Sequence, residues 1–285
     1  MIRPWLVLMG AFIAGVTGSC APRAAWACSD TTSCVVDGGS YLVRPPAHWD
    51  GKSVLPAVFY FHGYGDSAAS TIADIYMKPP LDKAGILLVA MDGEDHSWSF
   101  PGKISGHRDD FAYVAAVVAD VKKRFPVDPT RTLAAGFSVG GSMVWYVACR
   151  LGPLFAGYAP MSGAYWEPMP SDCPGGPVML RHIHGLADKT VPIVGRSLRN
   201  GLYKQGDANE SFRRLLARNG CAAVPEHVSV RGALTCRSWS AAACTSGKAA
   251  EFCLHDGGHT IEAQWIVDSL DWLKGQTAAT AAVQR

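Results

Sequence analysis

Leu133-Ala134-Ala135-Gly136-Phe137-Ser138-Val139-Gly140-Gly141-Ser142-Met143 joins a continuous apolar run to a segment of helical periodicity. A Gly-x-Ser-x-Gly at such a junction has a mechanical meaning. The glycines let the backbone turn sharply from strand to helix, so the serine hydroxyl stands above the end of the sheet. The following helix offers free N-terminal amides to a developing anion. An ordinary strand-to-helix turn could carry the same letters, but a chance match rarely falls on the one boundary where the chemistry needs it.

Outward from this stretch, short runs rich in β-branched and aromatic residues alternate with helical segments. Strands are expected at Ser40–Arg44, Ala57–His62, Ile86–Met91, Arg131–Gly136, Gly157–Pro160, Val178–His184 and Ala249–His255. The runs at 57–62, 86–91 and 131–136 lack polar alternation, as strands covered on both faces should. Helices are expected at Asp109–Phe125, Gly140–Leu151, Asn209–Asn219 and Ile261–Lys274. In the first of these, Phe111, Val114, Ala115, Val118, Val121 and Phe125 form the predicted apolar stripe. This order predicts an α/β fold with a mostly parallel central sheet and function at the carboxyl ends of its strands.

A serine hydroxyl needs a base, and the base needs an acid to hold its tautomer. Asp188 follows the strand ending at His184, in Gly185-Leu186-Ala187-Asp188. His259 follows the strand ending at His255, in Asp256-Gly257-Gly258-His259. Each alone could be structural, Asp188 as a turn aspartate and His259 as a cap or surface residue. His255 and His227 are read as structural. Upstream, Phe61-His62-Gly63-Tyr64 runs from a strand into a loop, which assigns the oxyanion-hole amides to Tyr64 and Val139. These four signals stand in the chain order of an α/β-hydrolase fold, with the central sheet covered by helices on both faces. Of the aromatic residues near these loops, Tyr64, Trp98, Phe100, Tyr165 and Trp166 could line a pocket. Trp98 and Tyr64 are the preferred substrate-binding pair, although aromatic side chains are more often core.

The chain has 285 residues, of which 48% are hydrophobic and 18% charged, and a net charge of +2. Those proportions exclude a disordered or collagenous chain and leave no basic footprint for nucleic acid or an anionic membrane. Arg3, the apolar stretch from Trp5 to Val16 and Ala25-Trp26-Ala27 read as a signal peptide over 1–27. Thr17-Gly18-Ser19-Cys20 stands as a lipid-attachment alternative. The expected destination is secreted, extracellular or periplasmic, with no membrane association after cleavage. Eight cysteines then remain, an even number in an oxidising compartment, so disulfides are expected, with connectivity open. No spacing suggests a metal site, and no cofactor is implied. One domain is expected over 28–275, with a flexible tail at 276–285 and no appended binding module. Oligomeric state is left open.

The chain resembles the secreted α/β-hydrolase esterases grouped with polyhydroxybutyrate depolymerases and bacterial feruloyl or acetyl-xylan-type esterases. The resemblance runs from Tyr41-Leu42-Val43-Arg44-Pro45 through Phe61-His62-Gly63, Trp98-Ser99, Arg108-Asp109-Asp110-Phe111, Val127-Asp128-Pro129-Thr130-Arg131, Gly136-Phe137-Ser138-Val139-Gly140-Gly141 and His184-Gly185-Leu186-Ala187-Asp188 to Gly257-Gly258-His259. It places a catalytic triad on Ser138, Asp188 and His259 and implies carboxylic esters as substrates. The expected partner is thus a small-molecule or oligomeric ester, either a soluble short-acyl or aryl ester or a hydroxyalkanoate oligomer. Polymer depolymerase, peptidase, lactonase and inactive binding protein remain alternatives. Val139, Tyr64 and Thr260-Ile261 depart from the family pattern close to the expected pocket.

Overall fold

A computed structural model describes residues 28–102 and 108–283. The expected signal peptide, 1–27, lies outside the described residues. In chain order the strands and helices are β1 (Cys34–Val36), β2 (Gly39–Arg44), β3 (Leu55–Phe61), α1 (Ala68–Ala73), α2 (Lys78–Lys83), β4 (Leu87–Met91), α3 (Asp110–Arg124), β5 (Val127–Phe137) and α4 (Val139–Arg150). They continue with β6 (Gly157–Met161), β7 (Leu180–Gly185), β8 (Arg196–Leu198), β9 (Tyr203–Gln205), α5 (Ala208–Asn219), β10 (His227–Arg231), β11 (Leu234–Trp239), β12 (Ala250–His255) and α6 (Ala263–Val283).

Among the described residues, ten strands form one sheet in the order β1-β2-β4-β3-β5-β6-β7-β12-β11-β10. The inner run from β4 to β12 is parallel, and the pairs at both ends are antiparallel. All seven expected strands are present. Every residue of β3 and β4 is buried, as their unbroken apolar sequence requires. Side chains alternate between two cores. Phe59, Phe61 and Val89 pack with α3, α4 and α5, whereas Val58, Leu88 and Ala135 pack with α2 and α6. Each fully buried Val, Leu or Phe contributes about 1.5–3 kcal/mol relative to exposure.

Helix ends follow local chemistry. The Asp109 carboxylate accepts from the Phe111 and Ala112 amides at the start of α3, and Lys122, Lys123 and Arg124 close its last turn. The stripe that α3 buries is rotated from the expected one: Tyr113 and Val117 join Val114, Val118 and Val121, while Phe111 is only half-buried beneath the Arg150 guanidinium. Helix α6 passes the expected end at Lys274 and continues to Val283, through alanine-rich sequence of high helix propensity. Part of the tail expected to be flexible, 276–285, is therefore helical. No helix among the described residues is long and apolar enough to cross a membrane.

All eight cysteines from Cys28 onward are paired, as Cys28–Cys34, Cys149–Cys173, Cys221–Cys244 and Cys236–Cys253. The second ties α4 to the segment after β6. The fourth links directly opposed residues of β11 and β12.

Candidate active site

The register of the sheet decides which loops meet. Phe61 pairs with Gly136, so β3 and β5 end side by side and release their loops at one place. Here Ser138 takes φ 59° and ψ −123°, a strained conformation for a residue with a side chain. Its amide donates to the Met161 carbonyl at 3.0 Å, which fixes the turn. The turn is possible only because the flanking positions lack side chains. A Cβ on Gly140 would lie 2.0 Å from the Phe61 carbonyl oxygen, and one on Gly136 would lie 2.6 Å from that of Gly140.

Ser138 occupies the N-cap position of α4, yet its side chain does not cap the helix. Its hydroxyl lies instead 2.9 Å from His259 Nε2. His259 Nδ1 is 2.7 Å from Asp188 Oδ2. A carboxylate only accepts, so Nδ1 carries the proton, and Nε2 is left to accept the Ser138 Oγ–H. The Phe137 ring packs against the imidazole at 4.6 Å between centroids. The three expected triad residues are thereby brought into one hydrogen-bonded chain.

Asp188 is buried, and its remaining oxygen is fully engaged. Oδ1 accepts from the amides of Thr190 and Val191, both at 2.8 Å. The Val191 carbonyl accepts in turn from His184 Nε2 at 2.7 Å. With its proton on Nε2, His184 accepts at Nδ1 from His182 Nε2, 3.1 Å away. Burial pushes the pKa of both histidines down, so they stay neutral beneath the aspartate loop. This loop runs against the one that carries His259. Leu186 N–H donates to the His255 carbonyl and Ala187 N–H to that of Gly257. A Cβ on Gly185 would sit 2.3 Å from the Gly258 carbonyl oxygen, so the close approach demands glycine. His255 is buried against Trp265, the structural role expected of it. Asp207 caps α5 and does not enter the site.

The third loop is braced from beneath. Buried His62 donates from Nδ1 to the Gly63 carbonyl at 2.7 Å and accepts at Nε2 from the Gly93 amide at 2.9 Å. Desolvation lowers its pKa, which keeps this single tautomer uncharged. A Cβ on Gly63 would be 3.8 Å from the Ser138 Cβ, which places Tyr64 beside the serine. Among the described residues, the amides of Tyr64 and Val139 have no acceptor.

A cleft of about 480 Å³ opens over Ser138 and Val139 and is lined by Tyr64, Trp166, Thr190 and Val191 together with the β8–β9 hairpin. Of the expected substrate-binding pair, Tyr64 reaches this cleft and is 74% exposed. Trp98 does not. It is 1% exposed, its indole N–H donates to the His62 carbonyl at 2.9 Å, and its ring packs on Phe61 and His62. A buried indole must spend its N–H on an acceptor, and here the acceptor is the backbone of the loop that carries Tyr64. Trp98 therefore shapes that loop from below and is not a wall of the cleft. Phe100 and Tyr165 are likewise core residues. The hairpin was missed in the sequence because its two strands have three residues each and lack an apolar alternation.

Solved structures share this arrangement of sheet and helices. An acetyl xylan esterase from Aspergillus awamori superposes with a TM-score of 0.62 at 14% identity, covering 82% of this chain and 93% of the other. The chain has the α/β-hydrolase fold. A feruloyl esterase module from Clostridium thermocellum, solved with sinapinate, gives a TM-score of 0.53 at 14% identity, over 85% of this chain and 83% of that one. No family model matches the sequence. Among curated relatives, "Probable feruloyl esterase C" of Aspergillus niger is 23% identical over 231 residues, 79% of this chain and 77% of the relative. "Feruloyl esterase D" of Neurospora crassa is 24% identical over 233 residues, 77% and 73% of the two chains. An esterase of the α/β-hydrolase type is the common reading of these similarities.

Proposed function

We propose that this protein is a serine carboxylic-ester hydrolase, with Ser138 as nucleophile, His259 as general base and then acid, and Asp188 as the group that fixes the His259 tautomer. The observation that carries this reading is the unbroken chain from Ser138 Oγ through His259 to Asp188 at the floor of an open cleft. Ser138 Oγ attacks the ester carbonyl carbon while His259 Nε2 takes its proton. The carbonyl oxygen becomes an oxyanion, which the amides of Tyr64 and Val139 receive. His259 then protonates the leaving alcohol, the C–O bond breaks, and Ser138 holds the acyl group. Water repeats the cycle and releases the carboxylic acid. Metal and cofactor have no part in these steps.

The size of the cleft and the Tyr64, Trp166 and Tyr203 side chains in its wall favour soluble short-acyl or aryl esters over polymer. Four disulfides support an oxidising destination, extracellular or periplasmic. The direct test is hydrolysis of 4-nitrophenyl butyrate and methyl ferulate by the unsubstituted chain and by Ser138→Ala. The substitution should lower kcat by about 10⁴-fold or more with the fold intact. Retention of a tenth of the activity would refute the assignment.

A further inference from the structure

Six non-glycine residues among the described ones have left-handed backbone: Asp95, His96, Ser138, Ser162, Arg199 and Asn200. Asp95, Ser138 and Arg199 line the cleft, His96 and Asn200 adjoin two of them, and Ser162 follows the Met161 carbonyl that holds Ser138. Strain of this kind persists where the surrounding structure enforces it, and it concentrates at functional sites. Two of these residues bear opposite charges, Asp95 on the loop after β4 and Arg199 on the hairpin after β7, and those strands lie on either side of β5, which carries Ser138 at its end.

On one wall the β8–β9 hairpin presents Arg196 and Arg199. Arg196 is steadied through Nε by Gln205 Oε1 at 3.3 Å, and the Arg199 guanidinium lies 5.9 Å from the centre of the Tyr203 ring. Neither has a carboxylate partner among the described residues. On the other wall, Glu94 accepts from the Arg108 amide, and the Asp95 carboxylate lines the cleft with no ion-pair partner among the described residues. The cleft is thus polarised. A guanidinium fork matches a carboxylate with two parallel hydrogen bonds, and the opposing Asp95 disfavours the reverse orientation.

We propose that the ligand of this cleft is an ester bearing a free carboxylate, which Arg196 and Arg199 hold at the hairpin. That the ligand is an ester rests on the function proposed above, whereas the demand for an anion rests on the hairpin. Calorimetric titration of the Ser138→Ala chain measures binding without turnover. Two matched pairs locate the charge: 4-nitrophenyl hexanoate against the 4-nitrophenyl monoester of adipic acid, and p-tolyl butyrate against 4-carboxyphenyl butyrate. In one pair or the other, the carboxylate should tighten binding by about tenfold at low salt. The preference should vanish at 1 M NaCl and on adding Arg196→Gln with Arg199→Gln. The salt arm needs no change to the hairpin, so it decides even if the substituted protein misfolds. Equal binding within both pairs, or a preference that survives salt or the substitutions, would overturn the proposal. Hydrolysis by the unsubstituted chain is read separately: selective binding with no turnover of any of the four esters would remove the esterase reading and leave the anion site.

Discussion

Asp188 shows how a small number of bonds defines a role. One carboxylate oxygen is held by the amides of Thr190 and Val191, so the other has a single direction available, toward His259. Asp188→Asn preserves this shape but presents an amide N–H or O where only an acceptor works, and the imidazole can then adopt the wrong tautomer. In the account proposed here the substitution lowers kcat by about 10⁴-fold with little change in the thermal midpoint. Steady-state kinetics on a 4-nitrophenyl ester checks it, and a loss under tenfold would contradict it. Ser138, Asp188 and His259 were legible in the sequence because each follows a strand end and all three fall in one chain order. The bracing residues were not. Trp98 sits next to the right loop in sequence but faces the core, and chain proximity carries no information about which way a ring points. The role of His184 beneath the Asp188 loop likewise depends on a fold of the chain between 184 and 191 that no local pattern announces.

At the scale of elements, β7 and β12 are joined by more than their ladder. Arg181 and Glu251 are opposite each other in register, both 1% exposed, and their side chains meet at 2.5 Å. Arg181 reaches on to Ser269 Oγ of α6 at 3.0 Å, and Glu251 also pairs with Arg231 and accepts from Ser238 Oγ. Desolvation opposes the Arg181 charge and Glu251 supports it. Removing Arg181 leaves the buried Glu251 carboxylate with only the half-exposed Arg231 and the Ser238 hydroxyl as partners, both on Oε1. Arg181→Met should cost about 3–5 kcal/mol in urea unfolding, whereas Arg181→Met with Glu251→Leu should recover a large part of that loss. A double variant as unstable as the single one would show that the loss comes from the missing pair itself and not from the carboxylate left without Arg181. The inner strands were legible from their apolar runs. Strand β11 and the edge strand β10 were not; Val228 and Val230 of β10 face solvent and its pattern is that of a polar loop. The pairing of 181 with 251 follows from register between strands distant in sequence, which composition does not encode.

For the whole molecule, His62, His182 and His184 are buried, and burial lowers the pKa of each below the usual value near 6.5. Below that value the unfolded chain binds protons that the folded chain refuses, so stability is full above about pH 6.5 and falls as the pH drops through it. Each histidine should therefore contribute to a loss of stability between about pH 7.5 and 5.5. Urea midpoints at the two values test this, and a midpoint as high at pH 5.5 would contradict it. His182→Phe should flatten the slope. The same sheet that buries these histidines gathers Ser138, Asp188 and His259 from three strand ends at a single cleft, and the central claim is that this convergence makes Ser138 the nucleophile. Incubation with a 4-nitrophenyl alkylphosphonate followed by peptide mass mapping tests it most directly. The account predicts one adduct per chain, on Ser138, with labelling slowed at least about 10³-fold by His259→Ala; an adduct on another residue, or none from a chain that hydrolyses esters, would contradict it.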